Sequence, residues 1–251
     1  YSWVATANAN VTGESTTAQT SATISDVLVN TTTSVQTVTY TVTPTSSVGG
    51  CAGTAQTVTI TVNPAPTMTS VNVKTICSNN NVSLALTSNI ASTYSWVATA
   101  NANVTGESTT AQTSATISDV LVNTTTSVQT VTYTVTPTTS VGGCAGTAQT
   151  VTITVNPAPT MTSANAKTIC SNNNVSLALT SNIASTYSWV ATANANVTGE
   201  STTAQTSATI SDVLVNTTTS VQTVTYTVTP TSSVGGCAGT AQTVTITVNP
   251  A

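Results

Sequence analysis

Apolar and polar residues alternate along most of the chain. Val82-Ser83-Leu84-Ala85-Leu86 puts Val82, Leu84 and Leu86 on one side, the two-residue period of a half-buried strand. Tyr94 and Trp96 share a face within Thr93–Val97, as do Val131, Tyr133 and Val135 within Val128–Thr136, with threonines on the other face. Thr147–Val155 points Val151, Ile153 and Val155 inward, and Ala115–Val122 does the same with Ile117 and Leu121. Thr67–Ile76 is mixed and runs into Cys77. Ser78-Asn79-Asn80-Asn81 between these stretches predicts a turn, because Ser and Asn bond back to local backbone and tolerate unusual φ. Ala98–Thr113 is small and polar and reads as a long surface excursion holding one short strand. Pro137–Gly146 reads as a hairpin loop. Asn156-Pro157-Ala158-Pro159 closes the pattern, since two prolines at that spacing favour an extended connector and cannot extend a central strand.

The pattern then repeats. Trp3, Trp96 and Trp189 stand 93 residues apart, as do Cys51, Cys144 and Cys237. Solenoid repeats run to about 20–50 residues, whereas a sandwich of about seven short strands needs roughly 100. The expected fold is therefore all-β, a tandem of immunoglobulin-like β-sandwich domains arranged as a beaded rod, each burying its own core. The expected boundaries are a partial repeat over residues 1–64, then full repeats over 65–157 and 158–251. Tyr1 aligns with Tyr94, so the counterparts of Pro66–Thr93 do not appear in the first copy, and the chain reads as a window on a longer array. The copies are nearly identical: Val71 and Val73 become Ala164 and Ala166, and Ser46 and Ser232 face Thr139. Trp3, Trp96 and Trp189 are expected in the cores, where such a sandwich buries a tryptophan, together with Tyr133 and Tyr226.

Composition narrows the class. Only 3% of residues are charged, the cations are Lys74 and Lys167, and there is no His. No apolar run approaches the ~18–20 residues of a membrane-spanning helix, and no signal-peptide pattern appears. Polarity comes from Thr, Ser, Asn and Gln, and β-branched Thr suits extended, half-buried surface. A net charge of −4 gives no basic face for nucleic acid. The carboxylates are Glu14, Asp26, Glu107, Asp119, Glu200 and Asp212, two per repeat and twelve residues apart. Two carboxylates serve a glycosidase, but in a repeated module they read as solvated surface. The glycines of GGCAG lack the GK[ST] of a phosphate-binding loop, and a calcium site takes 6–8 oxygens. No catalytic, cofactor or metal residues are therefore expected. Asn10, Asn30 and Asn81 lie in N-x-[ST] sequons, which matter only in a host that glycosylates them.

The segments ICSNNNVSLALTSN, YSWVATANANVTG, ATISDVLVNTTTSVQTVTYTVTP and GGCAGTAQTVTITVNP resemble the PKD-like (polycystic-kidney-disease-like) repeats of giant Bacteroidota surface proteins. That resemblance covers both full units and the partial one. It implies large adhesins exported by the type IX system, including those moved along the cell surface in gliding, and it supplies no catalytic residues.

The cysteines are the sharpest chemical feature. Cys77 and Cys144 fall in one full unit, Cys170 and Cys237 in the next, and Cys51 in the partial one. Recurrent pairs in an otherwise cysteine-free scaffold indicate disulfides in an oxidising compartment, and without His or CxxC a metal site is not indicated. A bond from Cys77 to Cys144 would close a loop of about 67 residues and contribute about 4 kcal/mol by chain entropy. In a seven-strand sandwich, however, those positions lie at opposite poles, a strand of ~7 residues at ~3.3 Å each apart, and Cα atoms more than ~7 Å apart cannot bridge. Either the first strand bends to close the pair, or the bond runs between neighbours, Cys77 to Cys237.

These features predict non-catalytic extracellular shaft modules that give an adhesin or filament its length. The alternative is a glycan- or surface-binding module presenting Thr/Asn-rich loops such as Ala98–Thr113. The Thr-x-Thr rows also suggest an ice-binding face, although the period provides no single flat lattice. Expected partners are neighbouring repeats, other copies bundled in a filament, and a surface or glycan ligand elsewhere on the protein. Nucleic acid and a membrane span within this stretch are not expected.

Overall fold

Alternation of valine and threonine through Gln129–Thr139 sets the central sheet of the middle unit. In this computed structural model, which describes residues 1–251, that strand pairs antiparallel with Ser92–Thr99 on one side and Gln149–Asn156 on the other. Val73–Cys77 adds a fourth strand, parallel to Gln149–Asn156. The second layer is built from shorter pieces: Val104–Thr105, Val120–Asn123 and Asn80–Asn81 in one sheet, Thr116–Ile117 with Leu84–Ala85 in another. Side chains from both layers meet in one core of sixteen buried residues, including Val82, Leu84, Leu86, Ile117, Leu121, Val131, Tyr133 and Ile153. Trp96 is buried with its ring edge against Tyr133, centroids 5.7 Å apart, and its indole N–H donates to the Ser114 carbonyl. Burial on alternate positions is what a two-layer β structure requires.

The third unit repeats this arrangement around its own sixteen-residue core, with Ala166–Cys170, Gln242–Asn249, Gln222–Ser232 and Ser185–Thr192 in its main sheet. The first unit keeps only Ser2–Ala5, Gln36–Thr43 and Gln56–Val62 in its main sheet and a core of six residues around Trp3 and Tyr40. The chain is thus all-β, built as sandwich layers with three separate cores in tandem, and no backbone hydrogen bond crosses between units.

Three local expectations change. The Ser78–Asn81 turn is confined to Ser78 and Asn79, because Asn80–Asn81 pairs as a strand with Val120–Leu121. The sequence puts Pro137 in a loop, but the strand continues through it to Thr139, with Pro137 opposite Tyr94. The Pro137 carbonyl accepts from the Gly146 N–H on the hairpin side, and its imide nitrogen faces that same side. No ladder donor toward Ser92–Thr99 is therefore lost, which is where a strand tolerates proline. The Val82–Leu86 strand is also broken. Ser83 sits at φ 43°, held by Asn81 Oδ1, which accepts from its N–H and its hydroxyl. That turn lets the chain leave Val120–Leu121 at Asn80–Asn81 and pair with Thr116–Ile117 at Leu84–Ala85.

Candidate functional site: the stapled junction

Parallel pairing fixes where the first cysteine of a unit lies. Val73–Cys77 runs alongside Gln149–Asn156 in a register that sets Cys77 opposite Asn156, the last residue of the exit strand. Cys77 therefore sits at the pole that faces the next unit. Cys237 lies in the hairpin loop of that next unit, fully buried, and the two form a disulfide with a Cα separation of 5.5 Å. Of the two pairings the sequence leaves open, the structure joins neighbours. Cys144, in the same unit as Cys77, lies in the hairpin loop at the opposite pole and is free, as are Cys51 and Cys170.

The junction also holds a cleft lined by apolar side chains together with Thr126, Ser127 and Ser232. It measures about 160 Å³ and is closed by Val128 and Pro157 from one side and Ile183, Ala184 and Val234 from the other. The first junction has the equivalent cleft, of about 270 Å³, between Val35 and Pro64 on one unit and Ile90, Ala91 and Val141 on the next. Gly142 packs against the Asn63 side chain, and Gly235 against Asn156 in the same way. Both glycines take positive φ, 84° and 75°, so a Cβ there would meet both strain and the asparagine. The two junctions share the glycine–asparagine contact, while the disulfide lies at the second.

The carboxylates belong to the scaffold. Asp119 accepts from the Ser108 N–H and hydroxyl, each at 2.7 Å, and from the Tyr133 hydroxyl at 2.8 Å. Glu107 accepts from the Asn101 N–H. Asp26 and Asp212 repeat the first set with Ser15 and Tyr40, and with Ser201 and Tyr226. Burial works to raise the Asp26 carboxyl, but the Ser15 and Tyr40 hydrogen bonds outweigh it and hold the group below the usual range. Tyr133 and Tyr226 are pushed well above the ordinary phenol range by burial first, then by the carboxylate each donates to. Composition alone reads these acids as solvated surface; the recurrence of each aspartate 11 residues after a Ser and 14 before a core Tyr is the signal that reading leaves unused. Lys74 donates to the Ser83 carbonyl.

The Ala98–Thr113 excursion is braced. Asn101 caps its own turn by accepting from the Asn103 N–H, and Gln112 exchanges backbone hydrogen bonds with Trp96. Asn123, in the sequon position equivalent to Asn30, is buried, and its amide donates to the Ser127 and Val155 carbonyls. It clamps the second layer to the exit strand and is not placed to carry a glycan. No three of His, Cys, Asp and Glu gather as a metal centre would require, and no helix is long and apolar enough to cross a membrane.

A tandem of two-layer β modules joined by a cross-junction disulfide defines the class. The chain belongs to the PKD-like domain family, whose profile matches residues 1–66, 74–159 and 167–251. That is a family of generally non-enzymatic structural and adhesion modules, and no catalytic family is indicated. Curated protein sequences give no match. Among solved structures, the chain is similar to three N-terminal domains of the bacteriophage RB49 Highly Immunogenic Outer Capsid protein, at 11% identity and TM-score 0.37, covering 100% of this chain and 86% of that one. It is also similar to the insect immune protein hemolin, at 12% identity and TM-score 0.33 over 85% of this chain and 56% of that one. Mouse cadherin-23 EC22-24 follows at 9% identity and TM-score 0.27, covering 100% and 86%.

Proposed function

We propose that the chain is a run of extracellular shaft repeats, 1–64, 65–157 and 158–251, from a large bacterial surface adhesin or filament. In this reading the modules give length and toughness, and ligand recognition lies elsewhere on the protein. The observation that carries it is the Cys77–Cys237 bond. A disulfide persists outside the reducing cytosol, and one that joins neighbours resists separation of modules without building any site. The near absence of charge and the carboxylates tied to backbone and tyrosine agree with a passive spacer. The resemblance to Bacteroidota surface repeats adds export by the type IX system and a role in adhesion or gliding.

Electron tomography of the native cell surface, with gold-labelled antibody against residues 65–251, tests the proposal. Thin beaded fibres decorated at regular intervals are expected. Label confined to the cytoplasm, or a disulfide absent from peptide maps of protein taken from cells, overturns it.

A further inference from the structure

Every outward position of the central strand from Thr130 to Thr138 is a threonine. The register sets Thr130, Thr132 and Thr134 directly opposite Thr154, Thr152 and Thr150 of the exit strand. Thr75 and Thr99 extend two of these ranks onto the flanking strands. The third unit repeats the net, with Thr223, Thr225 and Thr227 opposite Thr247, Thr245 and Thr243, and the first unit has the same three pairs.

Strand preference accounts for threonine at such positions, but two further observations set this face apart. The first is how the hydroxyls are used. Loop threonines spend theirs inside the protein, as Thr124 does on the Asn103 carbonyl and Thr125 on Asn123 Oδ1. The six on the sheet make no such bond, and all are exposed or half-exposed. The second is charge. A soluble surface ordinarily intersperses charged groups, whereas this face has none. Lys74 aligns with the inward Ile153 and donates to the Ser83 carbonyl, and Asp119 and Glu107 are tied to Ser108 and Asn101.

A rigid, repeating array of water fits these features. A charge holds a hydration shell that a crystal of water must strip away. A hydroxyl, with one donor and two acceptor positions, can stand in for a lattice water while its methyl group fills the hollow beside it. Paired strands lie about 4.8 Å apart and outward residues recur about every 6.7 Å along each, a rectangular net close to the oxygen repeat on the prism face of hexagonal ice. Sheet twist of about 20–25° per strand confines the match to the two central strands, so each unit offers six threonines. Further nets on the same chain strengthen the attachment of the whole. A crystalline polysaccharide is the poorer fit, because Tyr94, Trp96 and Tyr133 are buried and leave no ring on this face for a sugar to stack on.

We propose that this threonine net binds ice, which gives the modules a ligand surface of their own. The proposal goes beyond the shaft reading and does not rest on it, since a shaft that ignores ice is still a shaft.

The test grows ice slowly from a dilute solution of the intact, oxidised chain and measures the protein carried into the ice. The chain should be enriched there and should open a gap between the melting and freezing temperatures of a seed crystal. Thr39→Lys, Thr132→Lys and Thr225→Lys together place one charge at the centre of each net, and that variant should be excluded like an ordinary solute. Thr16→Lys, Thr109→Lys and Thr202→Lys add the same charge at exposed loop positions and should leave the partition unchanged. If the first set melts below the parent, Thr39→Ser, Thr132→Ser and Thr225→Ser decide the matter. They remove only methyl groups and should still carry less protein into the ice. Exclusion of the parent chain from ice overturns the proposal, as does equal partition of the sheet and loop variants. Retention of the parent on microcrystalline cellulose but not on ice overturns it as well.

Discussion

At the scale of the residue, the most informative contact is the Tyr133 hydroxyl on Asp119, repeated by Tyr40 on Asp26 and Tyr226 on Asp212. A tyrosine raised in the folded state contributes stability that is fully present below its unfolded pKa, near 10. That stability is lost as the pH rises toward the folded value. Tyr133 and Tyr226 are both raised, by burial and then by their aspartates, so the unfolded chain ionises first above pH 10. With no histidine present, melting temperature is expected to hold steady between pH 5 and 9. Above pH 10 each such tyrosine should steepen the loss by about 1.4 kcal/mol per pH unit. Tyr133→Phe keeps the ring but not the donor. It should cost its unit about 1.5–3 kcal/mol at pH 7 and shallow the alkaline slope, read by melting from pH 5 to 11.5. An unchanged slope would show that the phenol does not control it.

At the scale of the element, most strands were legible because one face of each is buried and the other is threonine. Val131, Tyr133 and Val135, and Val151, Ile153 and Val155, lie inward as their alternation implies. The breaks were harder to read because they depend on partners far away in sequence. Pro137 stays in a strand only because its nitrogen faces the hairpin, and Ser83 leaves one only because Asn81 supports its turn. Gly106 ends the short Val104–Thr105 strand at φ 94°, where a Cβ would run into the Val120 carbonyl oxygen. Gly143 has a similar φ of 62° but open space around it. Gly143→Ala should therefore cost only the left-handed backbone term, about 1–2 kcal/mol. Gly106→Ala adds a clash with backbone and should cost about 2–4 kcal/mol. Denaturant titration of the two variants separates these effects, and equal losses would mean that the contact with Val120 relaxes freely.

At the scale of the whole molecule, the cysteine partner was the part that sequence left open. Repeat spacing places both cysteines of a unit at its poles, but which sulfur lies opposite which depends on how two units meet, and no periodic pattern encodes that. The answer redirects mechanical load. Tension entering the middle unit passes along Val73–Cys77, crosses to Cys237, and leaves through Gln242–Asn249. Everything between the two cysteines, a separation of 160 residues, hangs off that path as a closed ring. The ring also restrains the unfolded state, a chain-entropy effect of about 5 kcal/mol for a loop of this size, but its larger consequence is geometric. At roughly 3.5 Å per residue the ring withholds about 55 nm of contour length. Pulled by its ends under oxidising conditions, the chain should therefore release only the lengths before Cys77 and after Cys237. With a reductant present, or in a Cys77→Ser, Cys237→Ser variant, single-molecule force traces should gain about 55 nm more. Oxidised chains that still show two full-unit extensions, each about 30 nm for some 93 residues, would mean that load does not pass through the bond.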